Sequence, residues 1–228
     1  MVRNRGVVIV IPAYNEEAKI GDVISDLNRN GYEDIIVVDD GSKDNTYKIA
    51  KSHKADVYKH IINRGLGGSL GTGIKAALMK NADIVVTFDA DGQHAASDIK
   101  KLIKPIIDGK ADVVIGSRLM IKSDGMPFIR KIGNWGMNLI TYVMFGIWTT
   151  DSQSGLRAFS RKAAEKISIK GSRMEVSSEI ISEVGKRKLK FKEVPIKAIY
   201  TDYSLKKGQS NLNAFKILLK LVVKKLMR

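Results

Sequence analysis

Short, unbroken runs of β-branched residues recur along this chain, and each gives way to a polar cluster and then to a segment with helical spacing. Val7-Val-Ile-Val-Ile11, Ile35-Ile-Val-Val38, Ile84-Val-Val-Thr-Phe88 and Val113-Val-Ile115 are too short for helices and lack the alternation of a strand with one wet face. They read as strands buried on both sides. Between the first two, Ile20, Val23, Ile24 and Leu27 recur at helical spacing within Glu16 to Asn30, and Gly31 supplies the stop. Asp44-Asn-Thr46 opens a second helix in capping style, Ile74 to Lys80 and Ser97 to Asp108 read as two more, and a weaker strand lies near Val57 to Ile62. This alternation with short connections predicts an α/β domain, Rossmann-like, with a mainly parallel central sheet flanked by helices. No internal repeat or linker-like stretch divides it, so residues 1–211 read as one domain and 212–228 as an amphipathic C-terminal helix.

Composition narrows what such a domain does. With 228 residues, 44% hydrophobic and 28% charged, the chain buries a real core. It has no cysteine, which excludes a disulfide framework and a thiolate metal site. The first apolar run is about six residues long before proline and acidic residues intervene, too short for a secretory signal, so a cytoplasmic location is expected. No stretch reaches the ~18 apolar residues of a spanning helix. Trp135 to Trp148, about fourteen residues without a charge and bracketed by tryptophans, reads either as a core helix or as a segment lying in a membrane surface. The net charge of +15, from 39 basic and 24 acidic residues, implies an anionic partner: nucleic acid, acidic lipid or a phosphorylated substrate. Leu212 to Arg228 sets Phe215, Leu218, Leu219, Val222 and Leu226 on one helical face and Lys216, Lys220 and Lys224 on another. That pattern suits a helix on an anionic surface, and equally a helix packed on its own domain.

In a parallel α/β sheet, ligands bind at the carboxyl ends of the strands. Three polar clusters fall there: Pro12-Ala-Tyr-Asn-Glu16, Asp39-Asp40 and Asp89-Ala-Asp91. Once the chain turns at Gly92, Asp89 and Asp91 both face the crevice, and with an amide oxygen from Gln93 they form a hard-oxygen set suited to Mg²⁺ or Mn²⁺. The competing reading of the pair is a loop that caps the next helix. Asp39 and Asp40 stand where α/β nucleotide binders accept hydrogen bonds from a ribose or base, so the two acidic sites together suggest a nucleotide-diphosphate pocket. The stretch Gly65-Leu-Gly67-Gly-Ser-Leu-Gly71-Thr-Gly73 fits neither the dinucleotide nor the P-loop spacing, and reads as a flexible approach to the helix at 74–80.

The ordered segments "VIPAYNEE", "VVDDGSKDNT", "NRGLGGSLGTGIKAAL", "FDADGQH", "GSR" and "DSQSGLRAFSR", spanning positions 8 to 161, resemble the family 2 inverting glycosyltransferases, and within them the dolichol-phosphate mannose and glucose synthase branch. The resemblance implies a GT-A fold, a nucleotide-sugar donor (GDP-mannose, UDP-glucose or UDP-GlcNAc), Mg²⁺ or Mn²⁺, and a polyprenyl-phosphate acceptor at the cytoplasmic face of a membrane. It places Pro12, Tyr14, Glu16, Val38, Asp40, Asp89, Ala90 and Arg118 at the nucleotide sugar, and Asp89, Asp91 and Gln93 at the metal. It makes Asp91, Arg118 and Asp151 the catalytic candidates, with Glu179 also near the acceptor and Asp151 and Glu179 alternatively orienting arginines. Arg130, Lys131, Arg157 and Lys206 are its candidates for the acceptor phosphate. The family's late basic loop reads here Ser204-Leu-Lys-Lys-Gly-Gln-Ser-Asn-Leu212, with Lys206 or Lys207 for the family's arginine and Asn211 where it carries lysine. This departure leaves a UDP-sugar as open as GDP-mannose.

The expected reaction suits the charge pattern. A lipid phosphate is already anionic at neutral pH, so attack on the anomeric carbon needs no strong base; it needs cations that hold one anion beside another. Other readings are transfer to a polysaccharide or glycan, a haloacid-dehalogenase-type phosphatase suggested by "VTFDADG", and a nucleic-acid binder driven by net charge. Nucleic acid is not the expected partner.

Overall fold

The protein's computed structural model describes residues 6–120, 135–136, 138–139, 141–143, 145–169, 171, 176–197 and 199. In chain order the elements are β1 (Val7–Ala13), α1 (Ile20–Arg29), β2 (Ile35–Asp39), α2 (Thr46–Ser52), β3 (Asp56–Lys59), α3 (Gly65–Met79), β4 (Ile84–Thr87), α4 (Ile99–Ile107), β5 (Val113–Ser117), β6 (Arg157–Ser160), α5 (Arg161–Lys166), α6 (Val176–Lys186) and β7 (Phe191–Pro195). The strands form one sheet in the order β3-β2-β1-β4-β6-β5-β7. β1, β2, β3 and β4 run parallel, as do β5 and β7, while β6 pairs antiparallel with both β4 and β5. The expected α/β fold with a mainly parallel sheet is therefore present. β6 and β7, which carry few β-branched residues, are additions to the sequence reading. The C-terminal helix at 212–228 lies outside the described residues.

Period-2 geometry explains the unbroken apolar runs. Ile9, Ile11, Ile35, Val37 and Val86 point to the face covered by α1, α2 and α4, where Ile24, Leu27 and Leu102 meet them. Val8, Val10, Ile36, Val38 and Val85 point to the other face, where Leu70, Ile74 and Ala77 of α3 and Val176 and Ile180 of α6 lie. The result is three layers, and the carboxyl ends of β1, β2 and β4 open together at one edge of the sheet.

The glycine-rich stretch departs from its sequence reading. It is the first half of α3, a helix of 15 residues, not a flexible approach. Glycine weakens a helix by about 1 kcal/mol per residue relative to alanine. Here it permits close approach: a Cβ on Gly73 would stand 2.2 Å from Val10 Cγ1 of β1, and one on Gly67 1.7 Å from the Gly171 carbonyl oxygen. Gly73→Ala is accordingly expected to lower unfolding free energy by about 1–3 kcal/mol through overpacking. Urea denaturation reads this directly, and an unchanged midpoint would contradict the tight seating of α3.

Candidate active site

The loops after β1 and β2 interlock before any ligand is considered. Asn15 adopts a φ of 53°, a left-handed turn that asparagine tolerates. Its backbone N–H donates to Ser42 Oγ at 2.9 Å, and its Oδ1 accepts from Lys43 N at 2.9 Å. Glu16 N donates to Thr46 Oγ1 at 2.8 Å, while Glu17 Oε2 accepts from Asn45 N at 3.0 Å. This leaves Tyr14 exposed on the rim, with Pro12 and Glu16 half-buried beside it.

Val38 and Asp40, at the end of β2, each pack against or bond to α3. Val38 is wholly buried against α3. Asp40 Oδ1 lies 2.7 Å from His60 Nδ1 and accepts from Arg64 N at 2.9 Å, and Oδ2 accepts from Gly65 N at 2.7 Å. Its carboxylate thus caps the start of α3, where negative charge meets the positive end of the helix dipole. Asp39 is also buried, and its Oδ1 accepts from Ser42 N at 3.0 Å. Both strand-end aspartates hold neighbouring loops in place.

The acidic pair follows the end of β4, separated from Thr87 only by Phe88. Gly92 takes a φ of 75°, the left-handed turn glycine adopts without strain, and brings Asp91 back beside Asp89. Gln93 donates its backbone N–H to Asp91 Oδ1 at 3.0 Å and its side-chain Nε2 to Asp91 Oδ2 at 2.6 Å. Gln93 therefore clamps Asp91 through both its backbone and its side chain. Burial pushes the Asp91 carboxyl above the ordinary carboxylate range, with the negative charges of Asp89 and Glu16 adding to the rise. Burial pushes Asp89 up as well, but the His94 hydrogen bond and the charges of His94, Arg118 and Arg157 outweigh it, so Asp89 titrates low.

Two groups aim Asp89. His94, buried and edge-on to Phe88, places Nε2 3.1 Å from Asp89 Oδ2. On the other side the backbone of Gly155 presses so close that a Cβ there would lie 2.1 Å from Asp89 Oδ2 and 2.2 Å from Oδ1. Because a carboxylate is the movable end of a side chain, Gly155→Ala is expected to leave stability nearly unchanged but to re-aim Asp89. The expected effect is a metal-dependent nucleotide affinity weaker by about 10–100-fold, the scale on which supporting groups act at metal sites. Titration calorimetry with UDP and Mn²⁺ measures it; full affinity in a folded variant would refute the role of this contact.

Cations close the far side. Arg118 Nε donates to Asp151 Oδ2 at 2.7 Å, a terminal guanidinium nitrogen to Oδ1 at 2.9 Å, and the Arg118 backbone N–H to Oδ2 at 3.1 Å. Asp151 is fully buried, and the pairing is the planar two-pronged kind that fixes an arginine's orientation. Asp151 thus takes the arginine-orienting arrangement. Arg157 opens β6 beside Thr87 and Ile115 and is only 2% exposed, so it lies beneath the site and not on a surface open to an acceptor. Burial pulls its guanidinium down to about 10, against the opposing pull of Asp89 and Asp151. Glu179 accepts from Gly171 N at 2.6 Å. Arg130, Lys131, Lys206, Lys207 and Asn211 lie outside the described residues.

A further anchor, unsignalled in the sequence, is Glu193 of β7. It accepts from Thr149 Oγ1 at 2.7 Å, Thr150 N at 3.0 Å and Asp151 N at 3.3 Å, and so holds the loop that carries Asp151. His94 and Gly155 were visible inside quoted motifs without an assigned role. Only the fold shows that they converge on one carboxylate.

The residues fit a divalent cation: two crowded carboxylates, one held protonated-prone by burial and its neighbour's charge, are relieved by a hard cation between them. Among the described residues no group of three or more His, Asp or Glu forms a complete cage, so a bound ion would complete its shell with water and ligand oxygens. No described helix is long and apolar enough to cross a membrane.

Comparison with known proteins agrees with this geometry. Residues 8–168 match the model of glycosyl transferase family 2, and this chain belongs to that family and is a glycosyltransferase. An uncharacterized protein of Methanocaldococcus jannaschii is 52% identical over 224 residues, covering 96% of this chain and 92% of its own. The UDP-N-acetylglucosamine–dolichyl-phosphate N-acetylglucosaminyltransferase of Methanococcus voltae is 44% identical over 241 residues, covering 96% of both chains. Glucosyl-3-phosphoglycerate synthase from Mycobacterium tuberculosis, crystallised with Mn²⁺, UDP and glucosyl-3-phosphoglycerate, superposes with a TM-score of 0.75 at 20% identity, covering 98% of this chain and 79% of that one. The fold is GT-A. Family membership displaces the phosphatase and nucleic-acid-binder readings.

Proposed function

We propose that this glycosyltransferase moves a sugar from a nucleotide donor to a polyprenyl phosphate such as dolichyl phosphate, at the cytoplasmic surface of a membrane. Among donors, UDP-N-acetylglucosamine comes first, because that is the donor named for the Methanococcus voltae relative aligned along 96% of both chains; UDP-glucose and GDP-mannose follow. The observation that carries the reading is the apposition, at one end of the sheet, of the acidic pair Asp89 and Asp91 with the oriented Arg118–Asp151 pair and the buried Arg157. A reaction between two anions needs both halves.

In this reading Asp89 and Asp91 hold Mg²⁺ or Mn²⁺, which when bound offsets charge on the departing diphosphate. Gln93 fixes the Asp91 carboxylate, while His94 and Gly155 aim Asp89. Tyr14 and Glu16 line the rim on the donor side. Asp151 holds the Arg118 guanidinium in one orientation beside the reacting anions, and Arg157 adds positive potential from below. An oxygen of the lipid phosphate attacks the anomeric carbon as the bond to the diphosphate oxygen breaks, with inversion. The nucleophile is already ionised, so no residue has to take its proton.

The deciding assay incubates the purified chain with labelled UDP-N-acetylglucosamine, dolichyl phosphate in vesicles and Mn²⁺ or Mg²⁺. Labelled lipid that depends on the metal is the expected product. Absence of lipid-linked sugar from every common UDP- and GDP-sugar would remove the proposal, and label on an added glycan instead would shift it to a glycan acceptor.

A further inference from the structure

The described positions between 135 and 145 are helical, and the two faces of that helix differ. Trp135, Leu139, Tyr142 and Val143 are exposed, and Trp148 beyond the helix stands edge-on to Tyr142 with ring centroids 5.6 Å apart. Asn138 and Thr141 face inward and are buried. Asn138 spends both ends of its amide on one loop: Nδ2 donates to Thr150 O at 2.5 Å, and Oδ1 accepts from Ser152 N at 2.9 Å. The two contacts bracket Asp151, whose carboxylate holds Arg118. Arg118 in turn acts electrostatically on Asp89.

We infer that Asn138 is a positioning residue that ties the seating of this helix on an anionic lipid bilayer to the orientation of Arg118. The inference rests on the lipid-acceptor reading for its purpose but not for its test. Three properties commit the outer face to a bilayer surface. It is aromatic and apolar, with tryptophan and tyrosine together, the residues that settle at the lipid–water boundary. The stretch from 135 to 148 carries no charge that lipid would have to desolvate, and the chain as a whole carries +15, which draws it to acidic headgroups. The inner face then has a single amide through which a tilt or shift of the helix reaches the backbone on either side of Asp151. Glu193 holds the same loop from β7, the edge strand of the sheet, so the loop is gripped between the sheet and the helix.

Both tryptophans of the chain, Trp135 and Trp148, lie on this face, so intrinsic fluorescence reports its docking. The experiment adds vesicles of mixed phosphatidylglycerol and phosphatidylcholine, without acceptor lipid, to the full-length protein. It follows tryptophan emission and, by calorimetry, the affinity for UDP with Mn²⁺. In the wild-type protein the emission is expected to move to the blue and the affinity to change by about fivefold, the low end of coupling between sites. In Asn138→Ala the blue shift is expected to persist while the affinity change falls below about twofold. With the lipid acceptor, kcat of that variant is expected to drop about tenfold with a smaller change in donor KM. Asn138→Asp, which keeps the acceptor for Ser152 N and removes the donor to Thr150 O, serves if the alanine variant does not fold, with the same split expected. The inference is overturned if vesicles leave wild-type emission unmoved, if the affinity change survives in the Asn138 variants, or if those variants lose affinity equally without vesicles. Failure of the functional reading is separate: wild-type protein would then show the vesicle effects and make no lipid-linked sugar.

Discussion

Asp91→Asn is expected to abolish most transfer activity while leaving the protein at least as stable as before. Catalysis should fall by about 10³-fold, because a neutral amide oxygen holds a divalent cation far more weakly than a carboxylate does, and in the proposed mechanism that cation offsets charge on the leaving diphosphate. Stability should move the other way. The folded state holds the Asp91 carboxyl above its ordinary range through burial and the nearby charges of Asp89 and Glu16. A raised folded pKa means that the ionised form, the one present at neutral pH, is disfavoured in the folded protein, and a neutral isostere removes that penalty. Gln93 N still finds an acceptor in the new side-chain oxygen, and the Gln93 side-chain amide turns over so that its oxygen accepts from the new NH2. Thermal unfolding without metal, beside initial rates with saturating Mn²⁺, checks both halves. A variant that melts well below the wild type, or that keeps a tenth of its rate, would show that Asp91 is a structural cap and not a ligand.

Asp151→Ala is expected to cost both stability and activity. The carboxylate is fully buried, meets Arg118 through three hydrogen bonds and lies within electrostatic reach of Arg157. Its removal leaves two guanidiniums close together with only Asp89 to balance them, and breaking such a buried pair from one side costs about 3–5 kcal/mol. For a chain of this size that corresponds to a fall in Tm of about 10 °C. The companion variant joins Asp151→Leu to Arg118→Met, removing both charges with little change of volume. It is expected to regain most of the stability and none of the transfer, since apolar replacement of a buried pair is close to neutral while the oriented cation is gone. If the double variant remains as unstable as the single one, the loss lies in the loop's packing and not in the stranded charge.

The parts of this fold that were legible in the sequence are those where one physical effect dominates. β1, β2, β4 and β5 announce themselves because burial on both faces demands unbroken apolar runs. α1 and α4 show the spacing of a single buried stripe. Their edges were less legible: α1 begins at Ile20 and not at Glu16, because residues 15–17 are held by hydrogen bonds to the loop at 42–46. β6 escaped because it is four residues long and starts with arginine, whose burial is offset here by the charges of Asp89 and Asp151 from distant parts of the sequence. α3 escaped because glycine argues against a helix locally, whereas its reason for being there is the side of β1 it packs on.

The site shows the same division. The acidic pair was readable as residue types at a strand end, whereas the pairing of Arg118 with Asp151 was not, because Asp151 lies in a loop 33 residues further on. What sequence could not convey is which acceptors are already spoken for. Asp40 and Gln93 were assigned outward roles on type and position, and the fold turns both inward, one onto the first turn of α3 and the other onto Asp91. Val38 was likewise a family position that the sheet buries. Carboxylates and amides satisfy backbone donors before they serve a ligand, and only three-dimensional neighbours reveal that prior claim.

The sheet ties the acidic tip to a distant part of the chain. β4 and β5 never touch; β6 stands between them, and it comes from a part of the chain made long after both. The acidic tip emerges early in synthesis, but its wall at Gly155 and its counter-ion at Arg157 come with that late insertion. A chain that lacks it keeps His94 on Asp89 and Gln93 on Asp91 but has neither the wall at Gly155 nor the charge of Arg157 beside them. The setting of Asp89 therefore depends on closure of the whole sheet and not on β4 and its own loop alone.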